Sequence, residues 1–315
     1  MEKIGCIDIG TNSVRILGLE KVNQDNFIPI MRGMEIIRPG KGVAINKRLT
    51  ADSIEAVKAV LKRFKESGER LGIDKYYAVC TSAIRDAENR EEFLNTLLET
   101  VDMPVKILSG EEEAVLTFMG AVYGEPLKGI QTLVIDIGGG STEIIMGKGC
   151  DILNFKSINI GAVRMTERFI LTDPIMIKEY KGMLNSIRQD IRESILEIKQ
   201  QERDIDLVIG VGGTITTLAA ILLRMRFYDP EKISGFSFSL NQLKAIIDDL
   251  LSKDIEERKK IPGLQPKRAD IIPAGAGILL VMMEELGLKH VKVKDSDLLM
   301  GMAIKIFQDD KMWMI

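Results

Sequence analysis

The chain has 315 residues, a formal net charge of −3, and 45% hydrophobic against 28% charged residues, an ordinary globular composition with room for one large core or two domain-sized ones. That balance excludes disorder, and the acidic net charge excludes a general nucleic-acid binder, whose basic surface would dominate. The apolar stretch 271–283 is too short for a bilayer and is broken by proline and glycine, and MEKIGCIDIG lacks the apolar region of a secretory signal, so the expected location is the cytoplasm with no membrane partner.

Residues 4–19, IGCIDIGTNSVRILGL, read as an apolar strand carrying Asp8, a small polar turn of Gly10, Thr11, Asn12 and Ser13, and a second apolar strand. Residues 27–37 continue as strand, and Arg38-Pro-Gly-Lys-Gly is a loop with Lys41 at its tip. Thr50 then precedes Ile54, Val57, Val60, Leu61 and Phe64 at helical spacing, which predicts an amphipathic helix ending near Gly72. Residues 76–80 form a strand that opens into TSAIRDAENR. Open α/β sheets bind ligands just past the carboxyl ends of their strands, so Thr81, Ser82 and Arg85 are site candidates, Arg85 because a guanidinium grips phosphate bidentately. A helix capped by Thr81 or Ser82 explains the same residues.

After a strand at 105–108 comes SGEEEAVLTFMGAV, a helix expected to bury Val115, Phe118, Met119 and Val122. A capping box from Ser109 to Glu112 accounts for one of its three leading acids, and the helix dipole favours all of them. Periodicity does not tell which of Glu111, Glu112 and Glu113 faces a ligand.

The chemistry concentrates in residues 133–147, LVIDIGGGSTEIIMG. Gly138, Gly139 and Gly140 lack a Cβ and let backbone N–H groups approach an anion, and Ser141 and Thr142 add hydroxyls. Paired as a hairpin, Ile137 faces Thr142 and Asp136 faces Glu143. Opposed like charges destabilise a ladder; a cation between them removes that cost, and Mg²⁺ is commonly held by one or two carboxylates with phosphate oxygens and water. A tight turn without ligand accounts for the glycines and serine equally well. Asp8 and Asp136 stand 128 residues apart, which suggests two related α/β domains. In the same register Asp8 faces Arg15, a cation, so the metal belongs mainly to the second loop.

Further on, strands at 151–158 and 206–211 flank a long charged helix at 176–201, and the latter strand runs into GVGGTITTLAAILL, a third glycine turn with Gly212, Gly213 and Thr214. Ile215 stands where a dinucleotide fingerprint has its third glycine, and no Walker-type loop occurs. Small residues and an apolar helix follow at 270–283, and 297–307 reads as a closing helix. With His290 as the only histidine, zinc chemistry and Ser-His-Asp catalysis are excluded. Cys6, Cys80 and Cys150 lie in apolar strand-like segments and are expected as reduced core thiols. Lys41, Lys47, Arg48, Arg258, Lys259, Lys260, Lys267 and Arg268 are candidates for a local basic patch, although a charge run also serves as a plain solvated face.

DIGTNSVR, TSAIRDAENR, SGEEEA, DIGGGSTE and GVGGT, in this order and spacing, resemble the exopolyphosphatase/guanosine pentaphosphate phosphohydrolase family over nearly the whole chain. The resemblance implies two ribonuclease-H-like α/β domains of the actin, sugar-kinase and heat-shock-chaperone superfamily, each with a mixed five-stranded sheet, around a central cleft. They are expected at 1–126 and 127–295, with a closing helix at 296–315 packed back on the first. It implies Mg²⁺-dependent hydrolysis of polyphosphate or guanosine pentaphosphate. Glu113 matches the general base, Arg85 an added cation, Asp136 and Glu143, with Asp8, the acidic metal site, and the two DIG loops, with Arg15 and the GVGGT turn, the substrate contacts. An ATPase or kinase, or a non-catalytic guanosine tetraphosphate or polyphosphate binder, is the rival reading. A homodimer is compatible with all of these. One departure is DSDLLMGMA, where the family often has a Gly-Leu-Arg-Glu-Gly type segment.

Overall fold

The computed structural model describes residues 2–23, 26–101, 103–201 and 205–308. The chain divides into two compact units, Met1–Gly120 with Leu298–Ile315, and Ala121–Asp297. The boundary thus falls six residues before the expected 126.

In the first unit, β1 (Lys3–Ile9), β2 (Val14–Lys21) and β3 (Phe27–Glu35) form an antiparallel meander, followed by α1 (Val43–Asn46), α2 (Ala51–Glu69), β4 (Lys75–Cys80), α3 (Ser82–Arg85), α4 (Arg90–Val101), β5 (Val105–Ile107) and α5 (Gly110–Val122). The sheet order is β3-β2-β1-β4-β5, with β4 and β5 parallel to β1. Thr50 caps α2 by accepting from the Ser53 amide at 3.1 Å. β1 is buried on both faces, as expected of a central strand covered by helices: Ile7 and Ile9 join Val57, Leu61 and Phe64 of α2 in one core, and Ile4, Cys6 and Asp8 alternate to the other face.

The second unit repeats this pattern. Its elements are β6 (Gln131–Ile137), β7 (Thr142–Lys148), β8 (Asp151–Ile158), α6 (Ala162–Phe169), α7 (Ile177–Gln201), β9 (Leu207–Val211), α8 (Gly212–Leu222), α9 (Pro230–Ile233), β10 (Ser237–Ser239), α10 (Leu240–Leu251), α11 (Ile255–Arg258), α12 (Ile272–Leu286) and β11 (His290–Val293). The sheet order β8-β7-β6-β9-β11 matches the first sheet strand for strand, but β10 adds an antiparallel edge to β11. The second sheet therefore has six strands among the described residues rather than five. A three-residue SFS strand carries too little periodicity to be read from sequence. Its core joins β6, β7 and β9 to α7, α8, α10 and α12.

The final helix, α13 (Leu298–Gln308), belongs to the first unit, where it packs on β1 and β2. It also explains a misread face of α5. Val115 and Met119 are only half-buried, whereas Ala114, Leu116, Thr117, Phe118 and Ala121 are buried, because Gly301 of α13 sits directly against the Leu116 backbone. Cys6 and Cys80 are buried, but Cys150 is exposed, in the turn between β7 and β8. Among the described residues no helix is long and apolar enough to cross a membrane.

An ordinary Gly→Ala change in a helix stabilises by about 0.4–1 kcal/mol. Gly301→Ala reverses that sign, because its Cβ would overlap the Leu116 carbonyl, and overpacking of this kind costs about 1–3 kcal/mol. Urea unfolding of the variant, showing a lower midpoint at unchanged slope, checks this.

Candidate functional site

The first DIG hairpin has the register expected of it: Asp8 pairs with Arg15 and Ile9 with Val14. Arg15 closes on Asp8, with Nη2 and Nε donating to Oδ2 at 2.7 and 3.0 Å. Inside the turn, the Gly10 amide donates to the Ser13 carbonyl at 2.9 Å. The outer carbonyls are tied back by the next loop, Thr11 O accepting from Gly40 N and Asn12 O from Arg38 N, both at 2.9 Å. Gly40 must be glycine here, since a Cβ would strike Ala83 and Thr11. Among the described residues the amides of Thr11, Asn12 and Ser13 donate to no protein acceptor, which leaves successive N–H groups arranged as an anion nest. The Asn12 carboxamide is buried with neither polar atom bonded to protein. Thr11 Oγ1 lies 3.2 Å from Ser82 Oγ, which joins the loop to the start of α3.

The three acids of α5 separate by position. Glu111 is exposed. Glu112 completes the capping box, accepting from Ser109 N at 2.9 Å while its own amide donates to Ser109 Oγ at 3.1 Å, and it pairs with Lys106 at 2.8 Å. Glu113 is only 7% exposed and accepts from Arg85 Nη1 at 2.9 Å. That same nitrogen donates to Leu108 O at 2.8 Å, so Arg85 is locked between α3 and α5. Thr81 is the N-cap residue of α3 without a side-chain capping bond. Burial pushes the Glu113 carboxyl up to about 7, against the opposing pull of the Arg85 charge and hydrogen bond; Asp8 adds to the rise and Arg15 to the fall.

The second hairpin pairs Asp136 with Glu143 and Ile137 with Thr142. It repeats the hydrogen bond that closes the first turn, with Gly138 N donating to Ser141 O at 3.0 Å. Its carbonyls are again tied back, Gly138 O by Ala162 N at 2.9 Å, Gly139 O by Val163 N and Arg164 N at 2.9 and 3.1 Å, and Gly140 O by Arg164 Nε at 2.8 Å. Gly161 has no room for a Cβ against Gly139 and Gly140. Ser141 is buried, and the amides of Gly139, Gly140 and Ser141 donate to no protein acceptor among the described residues. Thr142 is committed elsewhere: its hydroxyl donates to Ile160 O at 2.6 Å.

Glu143 is buried and its Oε1 accepts from Ser157 Oγ at 2.8 Å. Gly212, at φ +82°, lies against the Asp136 carboxylate, and Gly213 against the Arg268 guanidinium. Arg268 is itself buried, its Nε donating to Gln265 Oε1 at 3.2 Å. Thr214 is buried against Gly275. Of the candidate basic residues, Lys41, Lys47, Arg48, Lys260 and Lys267 are exposed, and the two buried ones, Arg258 and Arg268, lie outside any surface patch. Arg258 is buried and donates to Ala269 O at 3.0 Å and to Asp173, Arg48 and Lys259 pair with Glu92 and Glu256, and Arg268 belongs to the third glycine turn. Arg164 and Ser157, which brace the second loop and its acid, carry no signal in the sequence because their partners are side chains and carbonyls from other elements.

No cluster of three or more metal-ligating side chains occurs among the described residues. The opposed Asp136 and Glu143 nonetheless suit a hard divalent cation that completes its shell with phosphate oxygens and water. Asp8 suits it less, since Oδ2 carries Arg15.

A sequence model of the Ppx/GppA phosphatase family matches residues 19–308. A bifunctional 3-dehydroquinate synthase/phosphatase of Fusobacterium nucleatum is 32% identical over 95% of this chain, which spans 46% of that protein's length. Exopolyphosphatase 2 of Mycobacterium tuberculosis is 29% identical over 97% of this chain and 99% of its own. Among solved structures, an Aquifex aeolicus member of the Ppx/GppA family superposes with a TM-score of 0.81 at 31% identity, covering 98% of both chains. An exopolyphosphatase of Cytophaga hutchinsonii superposes with a TM-score of 0.89 at 26% identity, again over 98% of both.

Because Glu113 holds its proton more tightly folded than at the ordinary glutamate value of 4.5, the native state binds more protons than the unfolded chain between that value and about 7. Stability contributed by the group is full below the window and declines as pH rises through it. Denaturant midpoints measured across this range are expected to fall with pH in the parent and to fall less in Glu113→Gln.

Proposed function

The chain belongs to the Ppx/GppA phosphatase family and hydrolyses phosphoanhydrides, and we propose that it removes terminal orthophosphate from inorganic polyphosphate, with guanosine pentaphosphate as a second substrate. The observation that carries this reading is the buried, proton-tuned Glu113 carboxylate, and an amide turn of the same hydrogen-bonded form in each unit supports it. The amides at 11–13 and 139–141 supply donors to phosphate oxygens, and Glu113 supplies a base.

Phosphoryl transfer asks little covalent chemistry of a protein; positioning and charge neutralisation supply most of the rate. Glu113, raised to about 7, is poised to take a proton from the attacking water near neutral pH. Arg85 fixes the rotamer of Glu113 and holds enough of it ionised to accept that proton. Arg15 neutralises Asp8, so that the first loop receives phosphate without an uncompensated anion beside it. Asp136 and Glu143 would hold a divalent cation, which we assign as Mg²⁺; when bound it neutralises phosphoryl charge. Gly212, lacking a side chain, leaves the room that the Asp136 carboxylate occupies.

Phosphate release from polyphosphate, guanosine pentaphosphate and ATP, with and without a hydroxyl acceptor, tests the reading. Release to water from polyphosphate supports it; transfer to the acceptor would mark a kinase. Excess EDTA is expected to abolish turnover, and undiminished turnover in EDTA would remove the metal assignment.

Glu113→Gln should lower kcat by on the order of 10²- to 10⁴-fold with little change in substrate affinity. Glu112→Gln, which keeps a capping-box acceptor but loses the charge paired with Lys106, should cost little stability and leave turnover intact. The pH dependence of kcat/KM should show an acidic limb near the Glu113 value of about 7. Arg85→Met removes the group that holds this value down, so its limb should move to higher pH; a limb that stays put would disprove the coupling.

A further inference from the structure

Between Glu35 and Asp52 the chain carries no acid but four cations, Arg38, Lys41, Lys47 and Arg48. This stretch is fastened at both ends to the candidate site of the first unit. At its start the amides of Arg38 and Gly40 donate to the Asn12 and Thr11 carbonyls of the first glycine turn, both at 2.9 Å, and Lys41 is the next residue. At its end the Lys47 carbonyl accepts from Glu88 N at 2.8 Å. The buried Asn89 carboxamide accepts from Leu49 N at 2.9 Å and donates to Leu49 O at 3.1 Å, so the stretch closes on the segment just past α3 and Arg85. Lys41 and Lys47 are exposed, and neither side chain has a partner among the described residues. Arg48 already faces Glu92, at 3.9 Å.

The backbone singles out the same stretch. Three non-glycine residues with positive φ occur among the described residues, and two of them are here, Arg38 at +55° and Lys47 at +56°. Lys47 ends α1, a position where a left-handed residue is usually glycine, which adopts that conformation without strain. Strain of this kind persists where function requires it, and what lysine adds over glycine is a cation. We infer that Lys41 and Lys47 form a further anion subsite, built from side chains, that takes internal phosphates of a linear polyphosphate whose end lies against the amides of residues 11–13. The inference rests on the reading of that turn as a phosphate seat. Amides fixed in a turn hold one phosphoryl group in one place; ammonium groups on flexible stems hold any member of a run of equivalent anions, with no fixed register. A single-stranded nucleic acid is also a polyanion, but residues 36–51 contain no aromatic side chain on which its bases would stack.

Two measurements test this: phosphate release from long-chain polyphosphate and from tripolyphosphate, and binding of end-labelled long-chain polyphosphate by fluorescence anisotropy in the Glu113→Gln background. Lys41→Gln combined with Lys47→Gly should raise KM and Kd for the long chain by about tenfold, and should raise KM far less for tripolyphosphate, which is too short to leave the amide turn. The slope of log Kd against log salt should fall by roughly two, one for each lysine. The unfolding midpoint should not fall, because glycine relieves the left-handed backbone at position 47, so the lost affinity is not lost folding. Lys62→Gln removes an exposed lysine of α2 and should leave the preference for the long chain at the parent value. Equal losses on both substrates, a long-chain KM and Kd that the double variant leaves unchanged, or an RNA oligonucleotide of matched charge that binds the parent as tightly as polyphosphate would overturn the proposal. A parent that releases phosphate from neither substrate would overturn the function on which the subsite rests, and the anisotropy titration would then decide by itself whether the two lysines hold the chain.

Discussion

An acid near the end of a central strand, facing the residue across a glycine hairpin, is the constraint on which both units depend. The strand is largely buried, and its carboxylate, buried at Asp8 and half-buried at Asp136, is answered locally. In the first unit the answer is built into the chain, as Arg15 closes on Asp8 at 2.7 Å. In the second the facing residue is another acid, Glu143, the pair to which we assign a cation. One duplicated hairpin thus gives an acid facing a base in one unit and an acid facing an acid in the other, from a change at a single paired position.

The turns themselves are prepared for anions by what their carbonyls do. In each loop the outward carbonyls are consumed by the segment that follows, Arg38 and Gly40 in one case and Ala162 to Arg164 in the other. That leaves the amide side of each turn for ligand. It also explains Gly40 and Gly161, whose backbones approach the loops more closely than any side chain would permit.

Glu113 lies between two opposing effects. Burial favours its neutral form and Arg85 its charged form, and a base for reaction at neutral pH needs that balance near 7. The support reaches beyond the ion pair. Arg85 is held by the Leu108 carbonyl, and α5 is held by α13 through the contact of Gly301 with Leu116. The chain's last described helix therefore braces the helix that carries Glu113.

Sequence alone determined what is short-range. The registers Asp8 to Arg15 and Asp136 to Glu143 follow from a four-residue turn between alternating strands, because the turn length fixes which residues face each other. The Ser109 to Glu112 capping box and the Thr50 cap follow from fixed i, i+3 spacing. Duplication of a motif 128 residues apart made two related units legible, and the motifs together made the family legible. Tertiary structure alone decided what is long-range. Arg85 and Glu113 are 28 residues apart, and only the packing of α3 beside the start of α5 turned one of three equivalent acids into a buried, paired one. Arg268, read as one cation of a surface patch, became a buried neighbour of Gly213; Arg258 became a structural donor; Cys150, in an apolar-looking segment, came to lie in an exposed turn. The sixth strand has the same origin, a three-residue segment that is a strand only because β11 lies beside it. Periodicity records the face that an element buries, but what stands against that face, and so the charge and proton affinity of a side chain, is set by neighbours that the local sequence does not contain.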